Sequence, residues 1–294
     1  MAAMEWQGTT DGTRWMHRAL TGAARLVGVR PLYAVMAVAV VPFYIVSHWR
    51  AAVAIWHYLR QRQGFGRWQA LRRTCLNHYR FGQVIIDRFA MYAGMTFRLE
   101  RVNNEAFARL CQGDKGFVIL SCHVGNYELA GYTLTATEKP YNVVVYGGET
   151  PWVMQNRQRL FADHNIRVIT VGEGMGHIFE MNSALADGQI VSIPADRTFG
   201  SPRTVDCQLL GARARLPLGP FAVATQRGVP ALALFVMKES THRYTVYVRP
   251  LQAAAHPKQG DGTQGLAQAF ADELEKILRK YPEQWFNYYE FWEK

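Results

Sequence analysis

The chain has 294 residues, of which 49% are hydrophobic and 19% charged, and its formal net charge is +10. That much apolar material can bury a substantial core, as one large domain or a domain with a small appendage. The positive excess suits an anionic partner such as a phospholipid surface or an acidic carrier protein, whereas dispersed Lys and Arg without a zinc-finger, RNP or basic-region pattern argue against nucleic acid.

Residues 1–13 are polar and rich in Gly and Thr, and are expected to be disordered. Arg14, Arg18, Arg25 and Arg30 lead into an apolar run from Pro31 to Val46. This run is shorter than the roughly 20 residues that span a bilayer, and Pro42 interrupts it. No small-residue cleavage site marks it as a signal peptide. Trp15, Trp49, Trp56 and Tyr58, with Arg50, Arg60, Arg62 and Arg67, are flanks of the membrane-interface kind. Residues 1–62 therefore read as a disordered start followed by a hydrophobic, membrane-associating helical segment. The bland alternative is a helix packed on the rest of the protein. Residues 63–294 read as the second unit, beginning with an amphipathic helix from Gly66 to about Ala93. In it Trp68, Leu71, Cys75, Tyr79, Val84, Ile85 and Phe89 recur at helical spacing.

From Phe97 onward helices and strands alternate. Helices are expected over 104–111, 126–135, 152–164, 178–186, 219–227 and 266–280. Strands are expected over 117–121, 141–146, 167–171, 190–193, 231–237 and 244–248. This alternation predicts an α/β fold with a largely parallel central sheet flanked by helices. Ligands in such sheets sit at the carboxyl ends of the strands. His123, Gly147-Gly148 and Asp196 all follow strands, so the pattern gathers them at one end.

The stretch Phe117-Val118-Ile119-Leu120-Ser121-Cys122-His123-Val124-Gly125-Asn126-Tyr127-Glu128 joins a buried-type strand to a helix start. Two residues five apart on a single helix project about 140° apart, so His123 and Glu128 can meet only if the histidine lies in the turn ahead of the helix. Gly125 permits that turn and Asn126 is a good cap. Glu128 then falls in the first helical turn, where the dipole favours its charge. It is expected to orient the imidazole, leaving the other ring nitrogen to act as a general base. Free N–H groups at the helix start would favour a developing oxyanion.

The remaining candidates are weaker. Cys122 beside His123 reads as a packing residue rather than a nucleophile. The four cysteines, Cys75, Cys111, Cys122 and Cys207, form no C-x-x-C. They suit a reducing compartment without a disulfide framework or structural zinc. His164, His177 and His242 lack metal-ligand spacing. Gly172-Glu173-Gly174-Met175-Gly176 lacks the third glycine of a dinucleotide loop. Arg157 and Arg159, and likewise Arg203, Arg213 and Arg215, either bind phosphates or form solvated faces.

Taken together, these blocks resemble a known family. His123 to Ala130 is similar to the H-x4-D/E block of the lysophospholipid acyltransferase superfamily, and closest to its lipid A late (lauroyl/myristoyl) acyltransferases. Ile193-Pro194-Ala195-Asp196-Arg197-Thr198-Phe199-Gly200 resembles the second block. Leu216-Pro217-Leu218-Gly219-Pro220 with Gly228-Val229-Pro230, and Tyr281-Pro282-Glu283-Gln284-Trp285, resemble the later ones. The resemblance implies transfer of a fatty acyl group from a thioester on acyl carrier protein or CoA to a hydroxyl of a lipid, glycolipid or related acceptor. It implies His123 as base, Glu128 as its partner, and Asp196 and Arg197 at the rim of the same pocket; Asn126, Arg157, Arg159 and Arg203 are the further substrate-binding candidates. No cofactor and no metal are expected, only the thioester co-substrate. It also implies a peripheral or singly anchored protein on anionic lipid at the cytoplasmic face of a bacterial inner membrane. The competing readings are an acyl ester or thioester hydrolase, for which no G-x-S-x-G elbow is present, and a non-catalytic lipid- or carrier-binding module.

Overall fold

The computed structural model describes residues 13–129, 139–146, 154–155, 161, 165–172, 174–198, 203–252 and 262–292. Seven strands form one sheet: β1 (Arg98–Val102), β2 (Phe117–Ser121), β3 (Tyr141–Tyr146), β4 (Ile166–Val171), β5 (Ile190–Pro194), β8 (Ala231–Lys238) and β9 (Arg243–Leu251). Their order is β1-β9-β8-β2-β5-β3-β4, and every pairing is parallel except β8 with β9. The expected parallel-rich α/β sheet is therefore present.

β2 shows why it sits at the centre. All five of its residues are buried. Val118 and Leu120 face one apolar cluster, while Phe117 and Ile119 face the other. A strand covered on both faces needs an unbroken apolar run rather than alternation. On one side lie α8 (Leu218–Arg227) and α9 (Thr263–Lys280), which contribute Phe221, Phe270 and Leu274. On the other lies α6 (Asn104–Gln112), which contributes Phe107. α7 (Gly176–Ala186) packs its Met181, Ala184 and Leu185 into the first cluster.

Two pieces were not anticipated. β6 (Thr204–Leu209) and β7 (Ala212–Pro217) form a separate antiparallel hairpin. β1 is a half-exposed strand beside β9. The expected helices 126–135 and 152–164 and the Gly147-Gly148 turn lie largely outside the described residues, as do residues 1–12, Glu173 and His164. The first of these helices begins at Tyr127.

The N-terminal part is a helical layer. It comprises α1 (Arg14–Val27), α2 (Val29–Val35), a π-helical turn (Met36–Val40), α3 (Val41–Ser47) and α4 (Trp49–His57). Ala24, Val29, Tyr33, Met36 and Val41 pack against Ile86 and Ala90 of α5 (Arg67–Tyr92). Pro42 does not break the apolar run, contrary to expectation. It comes one residue after the π-helical turn, and the intervening Val41 N–H reaches back to Met36 O. The wider turn alters the spacing where proline's missing N–H and ring would disrupt an α-helical ladder. The result is a 19-residue apolar helix, Val29–Ser47, long and apolar enough to cross a membrane, with 22% of its hydrophobic window buried.

The apolar periodicity of α5 also divides. Val84 and Phe89 are buried as expected, but Trp68, Leu71 and Cys75 are exposed. Trp68 is 84% exposed and stands on the same helix as the buried Ala70 and Thr74.

Candidate active site

β2 and β5 are adjacent and parallel, with Ser121 opposite Pro194. Ala195 N–H donates to Ser121 O (2.8 Å), carrying the pairing one step past the strand. Just beyond, past Cys122 on one strand and directly after Ala195 on the other, His123 and Asp196 meet. His123 Nδ1 lies 2.8 Å from Asp196 Oδ1, and His123 main-chain N–H donates to Asp196 Oδ2 (2.9 Å). One carboxylate thus fixes both the ring and the backbone of the histidine. The Asp196 side chain is 1% exposed, and that of His123 is 13% exposed.

This corrects the expected partner. Glu128 does lie in the first turn of the helix, but its Oε2 forms an ion pair with Arg88 Nε of α5 at 2.8 Å, and both side chains are buried. The group against the His123 ring nitrogen is Asp196. Strand adjacency brought together residues 73 apart in sequence, which local spacing could not show.

The turn between β2 and that helix is held from three directions. Gly125 has φ of 59°, and a Cβ there would lie 2.1 Å from Val236 O, so any larger residue would collide with the backbone of β8. Gly125 N–H donates to Gln284 O, Asn126 N–H to Val236 O, and Phe286 N–H to His123 O. The closing block at Tyr281–Trp285 is therefore part of the wall behind the histidine. Asn126 caps the helix as expected, its Oδ1 accepting from Leu129 N–H at 3.3 Å. Its Nδ2 turns towards Tyr244 Oη (3.4 Å), and the residue is 1% exposed. Those bonds make it a structural cap, not the pocket-rim group expected.

Electrostatics favour a neutral imidazole beside an ionised carboxylate. Burial, then the neighbouring Arg197, hold the His123 pKa below its usual 6.5, against the opposing pull of Asp196. Burial alone would raise the Asp196 carboxyl, but His123 and Arg197 outweigh it and hold it below the usual carboxylate range. With Asp196 ionised, Nδ1 carries the proton and Nε2 the lone pair. Arg197 donates from Nη2 to Phe286 O (3.0 Å), and the Tyr127 ring centroid is 4.9 Å from that of His123. Burial drives the Cys122 thiol pKa well up and leaves it a packing residue.

The other expected groups are spread out. Arg203 is exposed at the foot of the β6–β7 hairpin, where its carbonyl accepts from Leu218 N–H. Arg157 and Arg159 lie outside the described residues. Among the described residues, no three His, Cys, Asp or Glu side chains gather as a metal site. Arg88 and Tyr127 stand around the site without having been singled out in the sequence. An arginine at the buried end of α5 opposite an acidic first turn was the available signal.

Residues 85–294, which hold His123, Asp196, Arg197 and the Arg88–Glu128 pair, match a family of acyltransferases, and the protein is an enzyme of that class. The matched family is the bacterial lipid A biosynthesis acyltransferase family, and this chain belongs to it. No curated protein matches the chain.

Proposed function

We propose that the protein moves a fatty acyl group from a thioester to a hydroxyl of a lipid or glycolipid acceptor, with His123 as general base. The single observation that carries this reading is the His123–Asp196 pair at the carboxyl ends of β2 and β5. Membership of the family implies an acyl donor and a lipid acceptor. The finer assignment rests on chemistry. An acceptor hydroxyl gives its proton to His123 Nε2 while its oxygen attacks the thioester carbonyl. Asp196 stabilises the imidazolium that forms. The tetrahedral intermediate collapses, the C–S bond breaks, and the imidazolium returns the proton to the departing thiolate. Arg197 and the N–H groups at the helix start supply positive potential for the oxyanion.

The formal charge of +10 suits an acidic acyl carrier protein as donor carrier, with CoA as the alternative, and suits anionic lipid nearby. Arg157, Arg159 and Arg203 are proposed to meet phosphates of donor or acceptor. Val35, Val38, Phe43 and Val46 are exposed apolar residues on the apolar helix Val29–Ser47, and exposed Trp49 follows just after it. They support association with a membrane surface, which the proposal places at the cytoplasmic face of the inner membrane. The test is His123→Ala. Transfer of a radiolabelled acyl chain is expected to fall at least a thousandfold with the melting temperature nearly unchanged. Wild-type transfer in that variant would remove the mechanism.

A further inference from the structure

Lys238, at the end of β8, has a side chain with no exposed surface. Its Nζ donates to Asp87 Oδ2 (2.5 Å) on α5 and to Tyr33 Oη (3.1 Å) on α2. The hydroxyls of Tyr33 and Tyr244 each donate to Asp87. Tyr244 Oη in turn accepts from Asn126 Nδ2, and Asn126 is the helix cap three residues after His123. A second path runs beside it, because Gln284 Oε1 accepts from Lys238 N–H, Gln284 Nε2 donates to Lys238 O, and Gln284 O holds Gly125 N–H.

Stability alone is a poor reason for such a cluster. Desolvating a lysine and an aspartate costs about as much as their attraction returns, and well-packed apolar groups often do as well. What the charges supply is direction: the carboxylate accepts from three donors on three different elements. The cluster lies between the apolar N-terminal helix and the turn that carries the histidine.

We infer that the buried Lys238–Asp87 pair, with Tyr33 and Tyr244, is a positioning cluster that ties the apolar N-terminal helix to the main chain of the His123 turn. Tyr33 is the link on the helix side and Tyr244 the link on the turn side. Neither touches the reacting atoms; both act through Asn126 and Gly125. The kinetic consequence rests on the acyltransferase reading, whereas the mechanical link does not.

The test uses the full-length protein with Tyr33→Phe and Tyr244→Phe, each of which removes one hydroxyl and keeps the ring. Tyr141→Phe, at another buried tyrosine, is the control. Hydrogen exchange is followed by mass spectrometry over residues 121–129, together with kcat, KM for the thioester and the melting temperature. Exchange at 121–129 is expected to run about tenfold faster in the two variants. kcat should fall about tenfold, KM and melting temperature should stay near wild type, and the control should match wild type throughout. Unchanged exchange at 121–129 overturns the link. Exchange that accelerates across the whole chain in step with a lower melting temperature reduces the cluster to packing and also overturns it. Faster local exchange with unchanged kcat overturns the positioning role. An inactive wild-type protein would speak against the acyltransferase mechanism alone, since the exchange arm needs no turnover.

Discussion

At the scale of single residues, two carboxylates near one histidine have different work. Asp196 holds both the ring and the main chain of His123, while Glu128 neutralises the buried Arg88. Asp196→Asn is expected to lower kcat at least a hundredfold with little change in melting temperature. Glu128→Gln removes the carboxylate charge that faces the buried Arg88 and is expected to cost about 3–5 kcal/mol of stability. Thermal unfolding beside kinetics on both variants separates the roles, and a reversed pattern would return Glu128 to the orienting role. The pH dependence follows from the lowered His123 pKa. The imidazole is neutral at pH 7, so if His123 is the base, as proposed, kcat/KM should be flat above about pH 6.5 and fall as pH drops through the lowered value. Arg197 is one cause of that lowering. Arg197→Gln should therefore move the acid limb to higher pH. An acid limb that stays in place, or moves to lower pH, would detach Arg197 from the base.

At the scale of elements, legibility followed burial and turn chemistry. β2 and β8 were readable because strands buried on both faces are continuous apolar runs. The β6–β7 hairpin was not. Its two-residue turn is Leu210-Gly211, with φ of 52° and 75°, and leucine is a rare occupant of the left-handed region that asparagine usually announces. β1 reads Arg-Leu-Glu-Arg-Val and shows no apolar face. The periodicity of α5 was visible, but which half of it was covered depended on where α1, α2 and α3 ended. The apolar helix over Val29–Ser47 carries the prediction proper to this scale. Replacing Val38, Phe43 and Val46 together with Ser removes exposed apolar surface and no core. Burying such side chains contributes about 1.5–3 kcal/mol each. Binding to anionic vesicles in a flotation assay is expected to weaken at least tenfold at constant melting temperature. Undiminished flotation would assign those residues another role.

At the scale of the whole molecule, the site is an outcome of strand order. The sequence placed His123 and Asp196 at the same end of a sheet, yet neighbours in that sheet are not neighbours in sequence. The resemblance of the blocks at 123–130, 193–200 and 281–285 marked which segments converge. The fold shows how: β2 and β5 lie side by side, and Gln284 and Phe286 bond to the same turn. Hence the reaction class was legible while the histidine's partner was not. The most direct test is mass spectrometry of lipid extracts from cells that lack the protein, cells that carry it and cells that carry His123→Ala. The mechanism predicts a lipid heavier by one fatty acid less one water, in wild-type cells only. Identical lipid profiles in all three, or the same acylated species with His123→Ala, would contradict it.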